Sequence, residues 1–76
     1  EENRAIIEEI YSSVKDQVVK RYGRELELKF GRFDVQEIAG GFLSDGTPRI
    51  EVMRGILEHQ SREQVMVSFC HEVGHI

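Results

Sequence analysis

Apolar residues recur along the first part of the chain at three- and four-residue steps, at Ile7, Ile10, Tyr11, Val14, Val18 and Tyr22. That spacing puts one apolar stripe on one side of a helix and predicts an amphipathic helix over residues 4–22. Asn3 stands where an N-cap belongs, and Gly23 where a C′ glycine would end the helix. Glu1, Glu2, Glu8 and Glu9 near its start, with Lys15, Lys20 and Arg21 near its end, suit the helix dipole. The period then changes. Glu25-Leu26-Glu27-Leu28-Lys29-Phe30 alternates polar and apolar, and so does Arg49-Ile50-Glu51-Val52-Met53-Arg54, which predicts two half-buried strands. Between them, residues 33–38 fit neither period and read as an irregular strand or a short turn of helix. Ala39-Gly40-Gly41-Phe42-Leu43 reads as a strand whose glycines admit a second backbone. Ser44-Asp45-Gly46-Thr47-Pro48 has the composition of a turn.

After Gly55 the apolar content continues through Ile56 and Leu57, without a period of its own. Ser61, with Gln64 three residues on, forms a capping box that opens a last helix. Val65, Phe69, Val73 and Ile76 make its apolar stripe, which Met66 and Cys70 broaden. The expected fold class is α+β: a backing helix, a small mixed or antiparallel sheet, and a final helix packed on it.

Composition narrows the classes of partner. Apolar (39%) and charged (32%) fractions are those of a folded globular chain rather than a disordered one. A net charge of −4, with no basic cluster beyond Lys20-Arg21, speaks against a nucleic-acid partner. No apolar run approaches membrane-spanning length. The N-terminus carries no signal-peptide pattern, which by itself decides nothing about compartment. With a single cysteine, Cys70, neither an internal disulfide nor a cysteine cage for a metal can form within the chain. At 76 residues the sequence makes one small domain, or a portion of a larger one.

The chemistry is concentrated in the last helix, where His71, Glu72 and His75 spell H-E-x-x-H. Residues four apart on a helix lie about 40° apart around the axis and roughly 6 Å apart along it. Both imidazoles therefore leave from one face and can grip a single ion. Glu72, one position from His71, is not a ligand in this arrangement but can serve as general base for the water such an ion activates. With this chain's composition, chance yields the pattern about once in sixty such sequences, so its setting on a capped apolar helix carries much of its weight. The wide apolar side next to the histidines predicts a partly buried site, and Gly74 lets another segment pack beside it. The bland reading is that His71 and Glu72 are solvated and His75 merely favours a helix C-terminus. His59 reads as a solvated loop residue with a minor chance of reaching the site, and Cys70 as a small buried thiol.

The stretch Phe69-Cys70-His71-Glu72-Val73-Gly74-His75-Ile76 resembles the active-site helix of the zincin metallopeptidases, in the form seen in metzincins and some small bacterial zincins. The order of elements over nearly all 76 residues resembles the N-terminal half of their catalytic domain. The resemblance implies zinc held by His71 and His75, with Glu72 as general base and proton shuttle. It implies that Arg49, Ile50, Glu51, Val52, Met53 and Arg54 form an upper edge strand that receives a peptide or protein substrate by β-augmentation. A secreted or periplasmic location is implied weakly. Zincins take a third ligand (His, Glu or Asp) from beyond the motif, and these 76 residues hold nothing beyond Ile76. The expectation is therefore an N-terminal portion of a metallopeptidase, residues 1–76, inactive alone. A missing C-terminal segment or a second chain would supply the third ligand. The alternatives are a non-catalytic metal-binding or assembly module, with His71 and His75 bridging zinc between chains, and a structural piece that never meets metal.

Overall fold

The computed structural model describes residues 2–76; Glu1, one of the acids expected at the helix start, lies outside the described residues. The elements run α1 (Glu2–Tyr22), β1 (Glu27–Phe30), β2 (Ile38–Phe42), β3 (Pro48–Val52), α2 (Arg54–His59) and α3 (Arg62–Gly74). The expected class, α+β with a small mixed sheet, is what forms. The strands pair in the order β1-β3-β2, with β1 parallel and β2 antiparallel to β3.

Every residue of the stripe read along α1 is buried or half-buried. Gly23 ends that helix with φ +72° and donates its N–H to the Val19 carbonyl at 2.7 Å, as a C′ glycine should. Asn3 has a different task from the one expected. The helix already begins at Glu2, and the Asn3 amide donates to the carbonyls of Leu57 and Gln60 at 3.1 and 3.0 Å. It satisfies the C-terminal carbonyls of α2, groups that have no partner inside their own helix.

On β3 the pattern of exposure separates two faces. Pro48, Ile50 and Val52 are buried, and with Ile7, Val18, Leu26, Ile56, Val65 and Phe69 they bring all three helices onto one side of the sheet. Arg49 and Glu51 point the other way, where Arg49 pairs with Glu27 at 3.1 Å and Glu51 at 3.0 Å. The turn before β3 closes around Asp45, whose carboxylate accepts the Thr47 N–H at 3.0 Å. Hydrogen bonding from Thr47, side chain first and main chain second, holds that carboxyl below the ordinary aspartate range.

α2 interrupts the direct passage from strand to motif helix that the sequence suggested. Its six residues are too short to show a helical period. Gly55 is the reason the loop over residues 31–37 can lie on it: a Cβ there would fall within 2.8 Å of three main-chain atoms of Val35. Main-chain atoms cannot swing aside as a side-chain tip can, so Gly55→Ala is expected to destabilise the protein by about 1–3 kcal/mol. A lowered urea midpoint with an unchanged slope checks this; an unchanged midpoint shows that the loop moves freely.

Candidate functional site

Ser61 and Gln64 form the capping box read from the sequence, with Gln64 N–H to Ser61 Oγ at 3.2 Å and Ser61 N–H to Gln64 Oε1 at 3.0 Å. This fixes where α3 starts and therefore which way each later side chain leaves it. Val65 and Phe69 are fully buried against the sheet and α1, with Val73 and Ile76 half-buried behind them. The far end is tied down too, since the Tyr22 hydroxyl donates to the Ile76 carbonyl. His75, at the C-cap, turns its own N–H back to the carbonyls of Glu72 and Val73.

On that frame the two histidines converge. His71 Nε2 and His75 Nε2 lie 3.0 Å apart, with the rings edge to face and centroids 4.5 Å apart. Without an ion, one Nε2 donates and the other accepts. Nitrogens this close also allow one ion to reach both at the usual zinc–nitrogen distance of about 2.0–2.1 Å. Glu72 does not join them as a ligand: among the described residues, no third His, Cys or carboxylate atom groups with His71 and His75 within 4.8 Å. The donor set therefore fits zinc in type and spacing but supplies two ligands where a catalytic site takes three.

Beside the motif runs a cleft of about 280 Å³, bounded by Gln36, Ile38 and Gln60 on one side and Val67, His71 and Glu72 on the other. Its only ionisable side chains are His71 and Glu72. Val67, one helical turn before His71, is 70% exposed there. Gln36, Ile38 and Gln60 could not be picked out from the sequence, because the segments that complete the cleft are joined to α3 only by the fold.

Several expectations are corrected here. His71 and His75 are exposed rather than partly buried, and only Glu72 is half-buried. Met66 and Cys70 face solvent and do not widen the apolar side, so Cys70 is an exposed thiol. Nothing lies within 4 Å of a Cβ at Gly74, so no described segment packs there. Residues 49–54 do not form an edge strand. β3 is the central strand, hydrogen-bonded to β1 on one side and β2 on the other, and offers no unpaired edge to a peptide. Of the residues expected to hold substrate, Ile50 and Val52 are core and Arg49 and Glu51 lie on the sheet's outer face. Met53 is the N-cap of α2, and Arg54 begins that helix. The free edge beside α3 belongs to β2.

His59 belongs elsewhere. It meets Asp34 at 2.9 Å, and Arg54 reaches Asp34 at 3.8 Å and Glu58 at 3.3 Å. Asp34, Glu58 and His59 are the one group of three potential metal donors among the described residues, and all are exposed. With Arg54 set between both carboxylates, the group is better explained as an ion-pair latch holding the 31–37 loop to α2 than as a cation site.

No family model matches this chain, and no similar chain is found among curated proteins or solved structures. No helix among the described residues is long and apolar enough to cross a membrane.

Proposed function

We propose that these residues are part of a zinc-dependent peptidase of the zincin type, with His71 and His75 as two of its zinc ligands and Glu72 as its general base. The observation that carries the reading is the convergence of the two Nε2 atoms at 3.0 Å, with the Glu72 carboxylate lining the same cleft as His71 and not grouped with the two nitrogens. β2 contacts the same helix and has no strand partner on its outer side, so an extended peptide has a place to add by main-chain hydrogen bonds. Away from His71 and Glu72 the walls of the cleft are uncharged and partly apolar, which suits an uncharged substrate side chain next to the scissile bond.

When bound, zinc supplies a Lewis acid that polarises a carbonyl and makes water a nucleophile near neutral pH. Glu72 accepts the proton of the attacking water on its carboxylate and returns it to the nitrogen of the leaving amine. The strand edge holds the peptide in line with that carboxylate. A third ligand comes from outside the described residues, in the same chain or another.

A second reading has its own observation. Both histidines are exposed and two ligands short of a closed structural site, so two copies together would present four imidazoles. Zinc would then join chains without catalysis.

Zinc content, peptide cleavage and mass in solution, measured on the full-length protein with His71→Ala and His75→Ala beside it, separate the two. The peptidase reading expects about one zinc per chain and cleavage of an unstructured protein substrate, both lost in either variant. Zinc-dependent dimerisation without cleavage supports the bridging role, and a protein that takes up no zinc overturns both.

A further inference from the structure

Gly40 lies on the helix-facing side of β2, directly across from the buried Ile50. It is where α3 leans on the edge strand through Glu72: a Cβ on Gly40 would stand 3.0 Å from Glu72 Oε1, closer than carbon and oxygen ordinarily approach. Nothing else described fixes that carboxylate. None of the hydrogen bonds or ion pairs among the described residues uses it, although the side chain is half-buried. What stands against it on β2 is the bare backbone of Gly40.

We propose that Gly40 is a positioning residue, whose missing side chain forms the recess that seats the Glu72 carboxylate against the β2 edge beside His71. The catalytic consequence rests on the peptidase reading; the contact itself does not. A side chain at position 40 pushes the carboxylate outward, away from the edge where a peptide would lie. Since the displaced group is the flexible end of a glutamate, it gives by a few tenths of an ångström, which the fold tolerates while the base shifts from its seat.

The chain carries its own control. Gly41 is the next residue of the same strand, faces the opposite way, and has nothing within 4 Å of a Cβ. Neither glycine has a positive φ, so alanine fits the backbone at both. Propensity and unfolded-state effects are thus alike in the two variants, and the Glu72 contact is the one tight contact that differs, since the Arg49 carbonyl and Ile50 Cγ1 stand at an ordinary 3.9 Å from a Cβ on Gly40.

The test compares Gly40→Ala with Gly41→Ala by two readouts. In the zinc-free protein, NMR is expected to show a nuclear Overhauser effect between the Gly40 α-protons and the Glu72 side chain. The Glu72 carboxyl carbon shift should move in Gly40→Ala and stay in Gly41→Ala. In the full-length protein, kcat should be several-fold to about 10-fold lower in Gly40→Ala than in Gly41→Ala, which is the reference for any change to the strand edge that both substitutions share, with KM and zinc content the same in the two. Absence of the Overhauser effect in the wild type, or equal kcat in the two variants, overturns the proposal. If the wild type neither binds zinc nor cleaves, the peptidase reading falls, while the NMR comparison still decides whether Gly40 seats Glu72.

Discussion

Replacing Glu72 with glutamine is expected to lower kcat by about 10²–10⁴-fold, the usual worth of a positioned general base, while zinc content stays at the wild-type level. Glutamine keeps the shape of the side chain and its place over Gly40 but cannot take a proton from water. Because Glu72 does not group with the two imidazole nitrogens, nothing in the metal grip changes. Stability should change little, within about 0.5 kcal/mol, since no protein hydrogen bond to the carboxylate is lost. The contrast with His71→Ala makes the experiment informative: that variant should lose zinc and activity together, whereas Glu72→Gln should lose only activity. A Glu72→Gln protein that sheds its zinc would show the carboxylate to be a ligand. One that keeps its rate would place the base elsewhere. Either result removes the role assigned to Glu72.

What the sequence could reveal depended on how locally each feature is encoded. The helical stripes of α1 and α3 were readable because side-chain direction follows directly from spacing, and the capping box because its two hydrogen bonds join residues three apart. Alternation separates core from surface positions over residues 49–52, but the strand ends at Val52, and Met53 and Arg54 open α2 instead of continuing it. Alternation could not say that β3 is central, because the side chains of a strand report its faces and not its neighbours, and pairing is done by main-chain groups common to every residue. Gly55 reads as a break, yet it lies in the first turn of α2; the reason it is glycine is the Val35 main chain, twenty residues away in sequence. At the site, spacing predicted that His71 and His75 share a face. Their exposure was not legible, because it depends on how far β2 and the 31–37 loop extend over α3. The glycines of β2 suggest room for another backbone, and Gly40 instead admits a side chain from the motif helix. The ligand spacing is thus a property of one helix, while the cleft and the seat of the base belong to the assembled fold.

That dependence makes Phe69→Ala the substitution with the largest expected effect on stability. Phe69 is fully buried and the bulkiest of the fully buried side chains, two residues before His71 on the same helix. Truncating a buried phenylalanine costs about 3–5 kcal/mol, part in lost transfer and part in the cavity left behind. A chain of this length has about 4–11 kcal/mol in total, so the variant should lose much of its stability and show a strongly reduced urea midpoint. Cys70→Ala, at the adjacent exposed position, should stay within about 0.5 kcal/mol of the wild type. Helix propensity does not explain such a difference, since alanine is the best helix former and favours α3 in both variants. What differs is that Phe69 fastens α3 to the sheet and α1, and α3 carries His71, Glu72 and His75 over β2. Equal midpoints for the two variants would mean that α3 is not packed through Phe69. The cleft, the Gly40 contact and the alignment of the base with the strand edge would then lose their common support.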